Sequence, residues 1–170
     1  MSRLHPVSVV DTVVLIDMCI GNYTAAFFRL KRVFVAPDLV TAEVKRVEQA
    51  QLCLNELQVR SLDGHQVRQI GQWKARHPRL SVPDVAAFLL AQALDAELLT
   101  GDGNLRDIAA ANGLTVRGTL WTLDECIRAG LMHPQEAARS LQLMLDAGSR
   151  LPKAECDQRL QRWQTVEKAS

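Results

Sequence analysis

Charge of one sign is what this chain has least of. Its 170 residues carry a formal net charge of +1, so no global basic field marks it for nucleic acid. Only local patches, Arg29, Lys31 and Arg32, then Lys74, Arg76 and Arg79, offer positive surface, and ordinary solvated surface is the better account of each. The four cysteines, Cys19, Cys53, Cys126 and Cys156, are scattered, with no C-x-x-C and no histidine at zinc-ligand spacing. That excludes a structural zinc site and suits buried thiols in a reducing compartment. No run approaches the ~18 uninterrupted apolar residues of a membrane span. The opening Met-Ser-Arg-Leu-His-Pro is not followed by the apolar stretch and small-residue site of a signal peptide. A soluble cytoplasmic protein that does not engage membranes is expected. Internal repeats and low-complexity segments are absent as well. With 48% hydrophobic and 23% charged residues, disorder is excluded and one domain with a real core is expected.

What is present is an alternation of short apolar runs and helical patterns. Val7 to Val10, Val33 to Ala36, Val59 to Leu62, Glu97 to Thr100 and Thr115 to Arg117 read as strands. Continuous apolarity in runs this short suits strands covered on both faces. Between them lie helical segments: Val14 to Ile20, stopped by Gly21-Asn22; Thr24 to Leu30; and a helix through Leu39, Glu43 and Val47 that Asp38 can cap, with no clear end before Glu56. A polar helix follows Asp63-Gly64 and runs to about Arg76. Ser81-Val82-Pro83-Asp84 opens the clearest helix, with Ser81 as cap and an acid three residues on, in the form of a capping box. Asn104 to Ala111 is helical and ends at Asn112-Gly113. After Gly118 only helices remain: Leu120 to Ala129, Pro134 to Ala147, and Cys156 to about Val166. This order predicts a three-layer α/β/α sandwich around a five-stranded parallel sheet. The core would span residues 1–118, with a helical extension over 119–170 packed on the same domain.

Four acids fall where an open parallel sheet builds its sites, at the carboxyl ends of strands near the reversal of strand order. Asp11 and Asp102 end strands. Glu43 lies about one and a half turns into the helix after the second strand, and Asp84 in the first turn of its helix. Each has a plainer account. Asp11 can cap a helix, Glu43 can be an exposed helix residue, Asp84 can complete a capping box, and Asp102 can be a turn residue. Together they suggest carboxylates gathered on a divalent cation, and with it metal-assisted phosphodiester cleavage.

Val9-Val10-Asp11-Thr12-Val13-Val14-Leu15-Ile16-Asp17 resembles the first strand and following helix of PIN-domain ribonucleases. Val35 to Val44, Leu80 to Ala87 and Leu98 to Leu105 resemble, in the family's order, the stretches carrying its other three acids. The segment from Val116 and the helices after it look like short, toxin-like prokaryotic members of that family. The resemblance implies an endoribonuclease using Mg²⁺ or Mn²⁺, with Asp11, Glu43, Asp84 and Asp102 as catalytic and metal-binding acids. Thr12 and Asn104 would be supporting polar residues, and Asp17 a rim or structural residue. It also implies an RNA substrate and, for a toxin, an antitoxin partner over the acidic cleft; the apolar helical tail is expected to serve a homodimer interface or that partner. Hard carboxylate oxygens suit these ions, and the lack of a Cys/His group argues against zinc.

The competing reading is a catalytically inactive PIN-like scaffold acting through protein or RNA binding. The near-neutral charge favours it and the presence of all four acids disfavours it. Other folds with acids at strand ends fit less well. A haloacid-dehalogenase phosphatase would want an acid where Val13 stands, and a receiver domain a lysine after the last strand, where Arg117 and Gly118 lie. Dinucleotide binding would want a G-x-G-x-x-G after a strand.

Overall fold

The computed structural model describes residues 5–45 and 56–165. The strands are β1 (Val7–Val10), β2 (Val33–Pro37), β3 (Gln58–Arg60), β4 (Glu97–Leu99) and β5 (Val116–Arg117). They form one parallel sheet in the order β3-β2-β1-β4-β5. Val9 pairs with Val35 on one side and Leu98 on the other. The sequence therefore starts in the middle of the sheet, builds outward to β3, crosses back, and finishes through β4 to β5. The reversal lies between β1 and β4.

Burial follows this order. In β1, Ser8, Val9 and Val10 are fully buried, as are Leu98 and Leu99 of β4. Each such Val or Leu side chain contributes about 1.5–3 kcal/mol through removal from water. The three residues of the edge strand β3 are all exposed, which is why its sequence carries the weakest strand pattern and its bounds fall short of the expected Leu62.

Helices α1 (Thr12–Ile20), α2 (Thr24–Phe28) and α3 (Asp38–Val44) follow β1 and β2. Asn22, at φ 54°, turns the chain after α1, the left-handed position asparagine tolerates. Asp38 does not cap α3, against expectation. Pro37 is the N-cap residue and Asp38 is the first helical residue, where its charge still suits the positive end of the helix. The expected run of this helix through Val47 and on toward Glu56 falls largely outside the described residues.

Helices α4 (Gly64–Arg76) and α5 (Val82–Leu94) connect β3 to β4, and α6 (Gly103–Ala111) connects β4 to β5. Asp63 and Gln66 close a capping box on α4. Every residue of α5 from Val85 to Ala91 is buried, because this helix lies across β1, β2 and β4 with α4 and α6 beside it. Helix α3 touches both α1 and α5.

The last helices are α7 (Thr119–Arg128), α8 (Pro134–Asp146) and α9 (Lys153–Thr165), the last starting three residues before Cys156. Helix α7 packs on α1 and α2, α8 on α1 and α7, and α9 on α8. Cys126 and Cys156 are buried thiols among these helices. Three hydrogen bonds among the described residues fasten this region to the N-terminal helices. The Tyr23 and Thr122 hydroxyls bond at 2.9 Å. Asp17 is only 4% exposed and accepts from the Thr119 hydroxyl at 3.0 Å and the Ser149 hydroxyl at 2.7 Å. Among the described residues no helix is long and apolar enough to cross a membrane.

Candidate active site

The site grows from the reversal point of the sheet. Asp11 follows β1 directly, its own N–H bonding the Leu99 carbonyl at 3.0 Å as the ladder's last rung. Its side chain caps α1, accepting from the Val14 N–H at 2.9 Å with Oδ1. Oδ2 accepts from the Thr100 hydroxyl and, at 3.3 Å, from the Gly101 N–H. The carboxylate is therefore held from both strands at the reversal, and the residue is 1% exposed. Its hydrogen bonds favour the charged form, but burial outweighs them and pushes its pKa up to about 7, with the Asp84 charge adding to the rise.

Asp102 stands at the end of the β4 turn and caps α6, accepting from the Leu105 N–H at 2.8 Å. Its own N–H donates to Thr100 Oγ1 at 3.0 Å, so one threonine hydroxyl links the two strand-end acids. Gly101 lies between them because a side chain has no room there. A Cβ at this position would fall 2.6 Å from Cγ1 of Val13.

Asp84 completes the expected capping box. Its Oδ2 accepts from the Ser81 N–H at 2.7 Å, and its N–H donates to the Ser81 hydroxyl at 3.2 Å. Burial raises its pKa against the Ser81 hydrogen bonds, and the neighbouring charges of Asp102 and Glu43 raise it further. Glu43, half-buried on α3, accepts a hydrogen bond from the Thr12 hydroxyl. Asp84 thus feels the charge of all three other acids, which folding has brought from four separate segments to one end of the sheet. No ion pair between described residues reaches any of the four.

The carboxylates are not drawn together into a cage. Among the described residues, no three Asp, Glu, His or Cys side chains stand close enough to hold a metal ion as they are. Each acid is instead engaged locally, Asp11, Asp84 and Asp102 at helix starts and Glu43 with Thr12. The donor chemistry suits a hard cation: oxygen ligands only, mutually repelling, with two carboxyls whose charged form burial disfavours. Asp84 is bonded through Oδ2 and Glu43 through Oε2, which leaves one oxygen of each carboxylate without a hydrogen bond among the described residues.

Of the supporting residues, Thr12 is in place against Glu43, while Asn104 is exposed at the start of α6. Asp17 is no rim residue, since its carboxylate is buried between α1 and the C-terminal helices. Asp107 and His65 are exposed, and His77 stacks on Trp73 at 5.4 Å. Lys74 is spent on the carbonyls of Pro78 and Leu80. Sequence reasoning missed Thr100. Its only signal was a hydroxyl on the last residue before the Gly-Asp-Gly turn, facing a strand 89 residues away.

A family model described as a PIN domain, DUF3368, matches residues 7–165. No curated protein matches the sequence significantly. Among solved structures, a PilT N-terminus domain protein from the hyperthermophilic archaeon Sulfolobus solfataricus P2 is 15% identical, covering 75% of this chain and 95% of its own, with a TM-score of 0.45. A chain from the structure of VapBC2 of Rickettsia felis, bound to a DNA fragment from its promoter, is also 15% identical. That match covers 66% of this chain and 98% of its own, with a TM-score of 0.47.

Proposed function

We propose, from the premise that this chain belongs to the PIN-domain family, that it is an endoribonuclease hydrolysing RNA phosphodiester bonds with Mg²⁺ or Mn²⁺. The observation carrying this reading is the placing of Asp11, Glu43, Asp84 and Asp102 at the same end of the sheet near its reversal, acting electrostatically on one another and without an ion-pair partner among the described residues. Asp11 and Asp102 would hold the cation from the strand ends, with Asp84 and Glu43 closing from α5 and α3. When bound, such an ion supplies positive charge to the phosphoryl group and to the attacking water. The chain's own residues do the rest. Thr100 fixes the Asp11 carboxylate through its hydroxyl. Burial keeps that carboxylate away from bulk water, which strengthens its electrostatics. The Thr12 hydroxyl orients Glu43.

We also propose an antitoxin partner over the acidic end, as its likeness to short toxin-like PIN proteins implies, and a homodimeric state through the apolar C-terminal helices. Residues 119–170 are assigned as a helical extension of the 1–118 core. Light scattering that finds a monomer removes the dimer, and a co-purified small partner that suppresses cleavage supports the toxin role.

The second reading, an inactive scaffold, draws on the uncollected carboxylates and the near-neutral charge. Cleavage of an RNA pool separates the two. Turnover that EDTA abolishes, that Mn²⁺ restores, and that Asp11→Asn removes establishes the nuclease. An ion present at a hundred times its Kd also stabilises the wild type by about 2.7 kcal/mol, and Asp11→Asn removes that gain. Absence of both effects leaves the scaffold.

A further inference from the structure

Beside Asp102 lies a cavity of about 550 Å³ between the start of α6, the β5–α7 turn and the start of α9. Asp102 is part of its wall, so it opens onto the acidic end of the sheet. Three arginines line it, and their charges are not equally free. Arg159 is spent, bonded to Asp124 at 2.8 Å and to Glu155 at 3.5 Å. Arg106 lies across Gly118, where a Cβ would fall 2.7 Å from its Nη2, and among the described residues its side chain makes only a 3.5 Å hydrogen bond to the Thr100 carbonyl. Arg150 is exposed and makes no hydrogen bond or ion pair among the described residues. The cavity therefore holds two guanidinium groups without an ion pair among the described residues, next to Asp102, which has none either.

We propose that this cavity is a phosphate-binding subsite in which Arg106 and Arg150 hold the backbone of single-stranded RNA on one side of the bond cut at Asp11 and Asp102. The assignment rests on the nuclease reading above. A strand placed with one phosphate at the acids must lead its neighbours along the protein surface, and Asp102 belongs both to the acids and to the wall of this cavity. Guanidinium forks match the two free oxygens of a phosphodiester. They also offset the repulsion that four carboxylates impose on an approaching polyanion, which a net charge of +1 cannot do. Trp121 is not offered to a base, because Arg32 and Arg117 lie over its ring at 5.3 and 5.4 Å. Holding by charge alone makes the subsite indifferent to sequence.

The test is fluorescence anisotropy of a labelled oligouridylate with the full chain in EDTA, so that binding is read without cleavage. Arg150→Ala, at an exposed position, and Arg106→Gln should each weaken binding roughly 5-fold and each lower the slope of log affinity against log salt by roughly 0.7. Lys31→Ala, at the opposite end of the strands, should leave both unchanged. Where Arg106→Gln fails to fold, Arg150→Ala decides. Wild-type affinity in Arg150→Ala overturns the subsite. So does an equal loss in Lys31→Ala, a wild type that binds no RNA, or polyglutamate competing as well as RNA, which would give the cavity to an acidic protein segment. With metal present, the same variants should raise KM and spare kcat. Binding lost in the variants of a wild type that never cleaves would sink the nuclease and keep the subsite. Cleavage that the variants leave untouched would do the reverse.

Discussion

Two buried aspartates stand six residues apart in sequence, at the start and in the body of α1, and they serve different ends of the molecule. Asp11 and Asp17 both accept hydrogen bonds from hydroxyls, Thr100 in one case, Thr119 and Ser149 in the other. Both have pKa values raised chiefly by burial. The difference is their company. Asp11 faces the charge of Asp84 and sits where strand order reverses. Asp17 faces the C-terminal helices, and its hydroxyl donors come from the segments that begin α7 and precede α9. A buried carboxylate among other acids is what our proposal reads as a cation site. A buried carboxylate among hydroxyls is a clasp.

The largest test of this contrast is activity. Asp11→Asn should reduce RNA cleavage on the order of 10³-fold, about 4 kcal/mol of transition-state stabilisation, while Asp17→Asn should keep most of it. Equal losses in both would erase the distinction.

Next comes the dependence of stability on pH without metal. Burial pushes the Asp11 pKa in the folded state up to about 7, against an ordinary value of 3.8. The folded state therefore binds its proton more tightly than the unfolded chain. Its stabilising contribution is complete below about 4 and is lost as pH rises to about 7, a change of about 4 kcal/mol. Urea titrations across that window should show the wild type weakening and Asp11→Asn weakening much less. The variant that kills activity would then be the more stable protein at pH 8.

Thr119→Val should cost about 1.5–3 kcal/mol, because it leaves the buried Asp17 carboxylate short of a donor. Ser149→Ala should cost a similar amount, and the pair should not be additive, since both serve one acceptor. Thermal melts of the two single variants and the double variant measure this. Smallest is Ser81→Ala, which removes the cap of α5 and should cost about 1 kcal/mol. It leaves Asp84 without that hydroxyl, so any effect on metal affinity beyond the stability loss would tie the cap to the site.

The parts legible in the sequence were those set by local chemistry. The buried run before Asp11, the Ser81–Asp84 capping box and the glycines around Asp102 announce themselves within a few residues. The four acids could be placed at one end because strand-helix alternation dictates which end the turns occupy. Pairings across the sheet left no such trace. Thr100 meets Asp11 only because β4 lies beside β1, and Asp17 meets Ser149 across 132 residues, so nothing nearby in the chain marks either. Asp38 misled for the opposite reason. It has the right residue type for a cap, but Pro37 precedes it with φ already near −66° and takes the boundary one residue earlier.

Gly101 sets a gauge for the site. The absence of one carbon there lets the turn bearing Asp102 rest against Val13, and so fixes how near the turns that follow β1 and β4 can stand. A single methyl group would act as a wedge, spreading those turns while leaving every acid chemically intact. Gly101→Ala is thus the smallest lesion that separates having the right residues from having them at working distance.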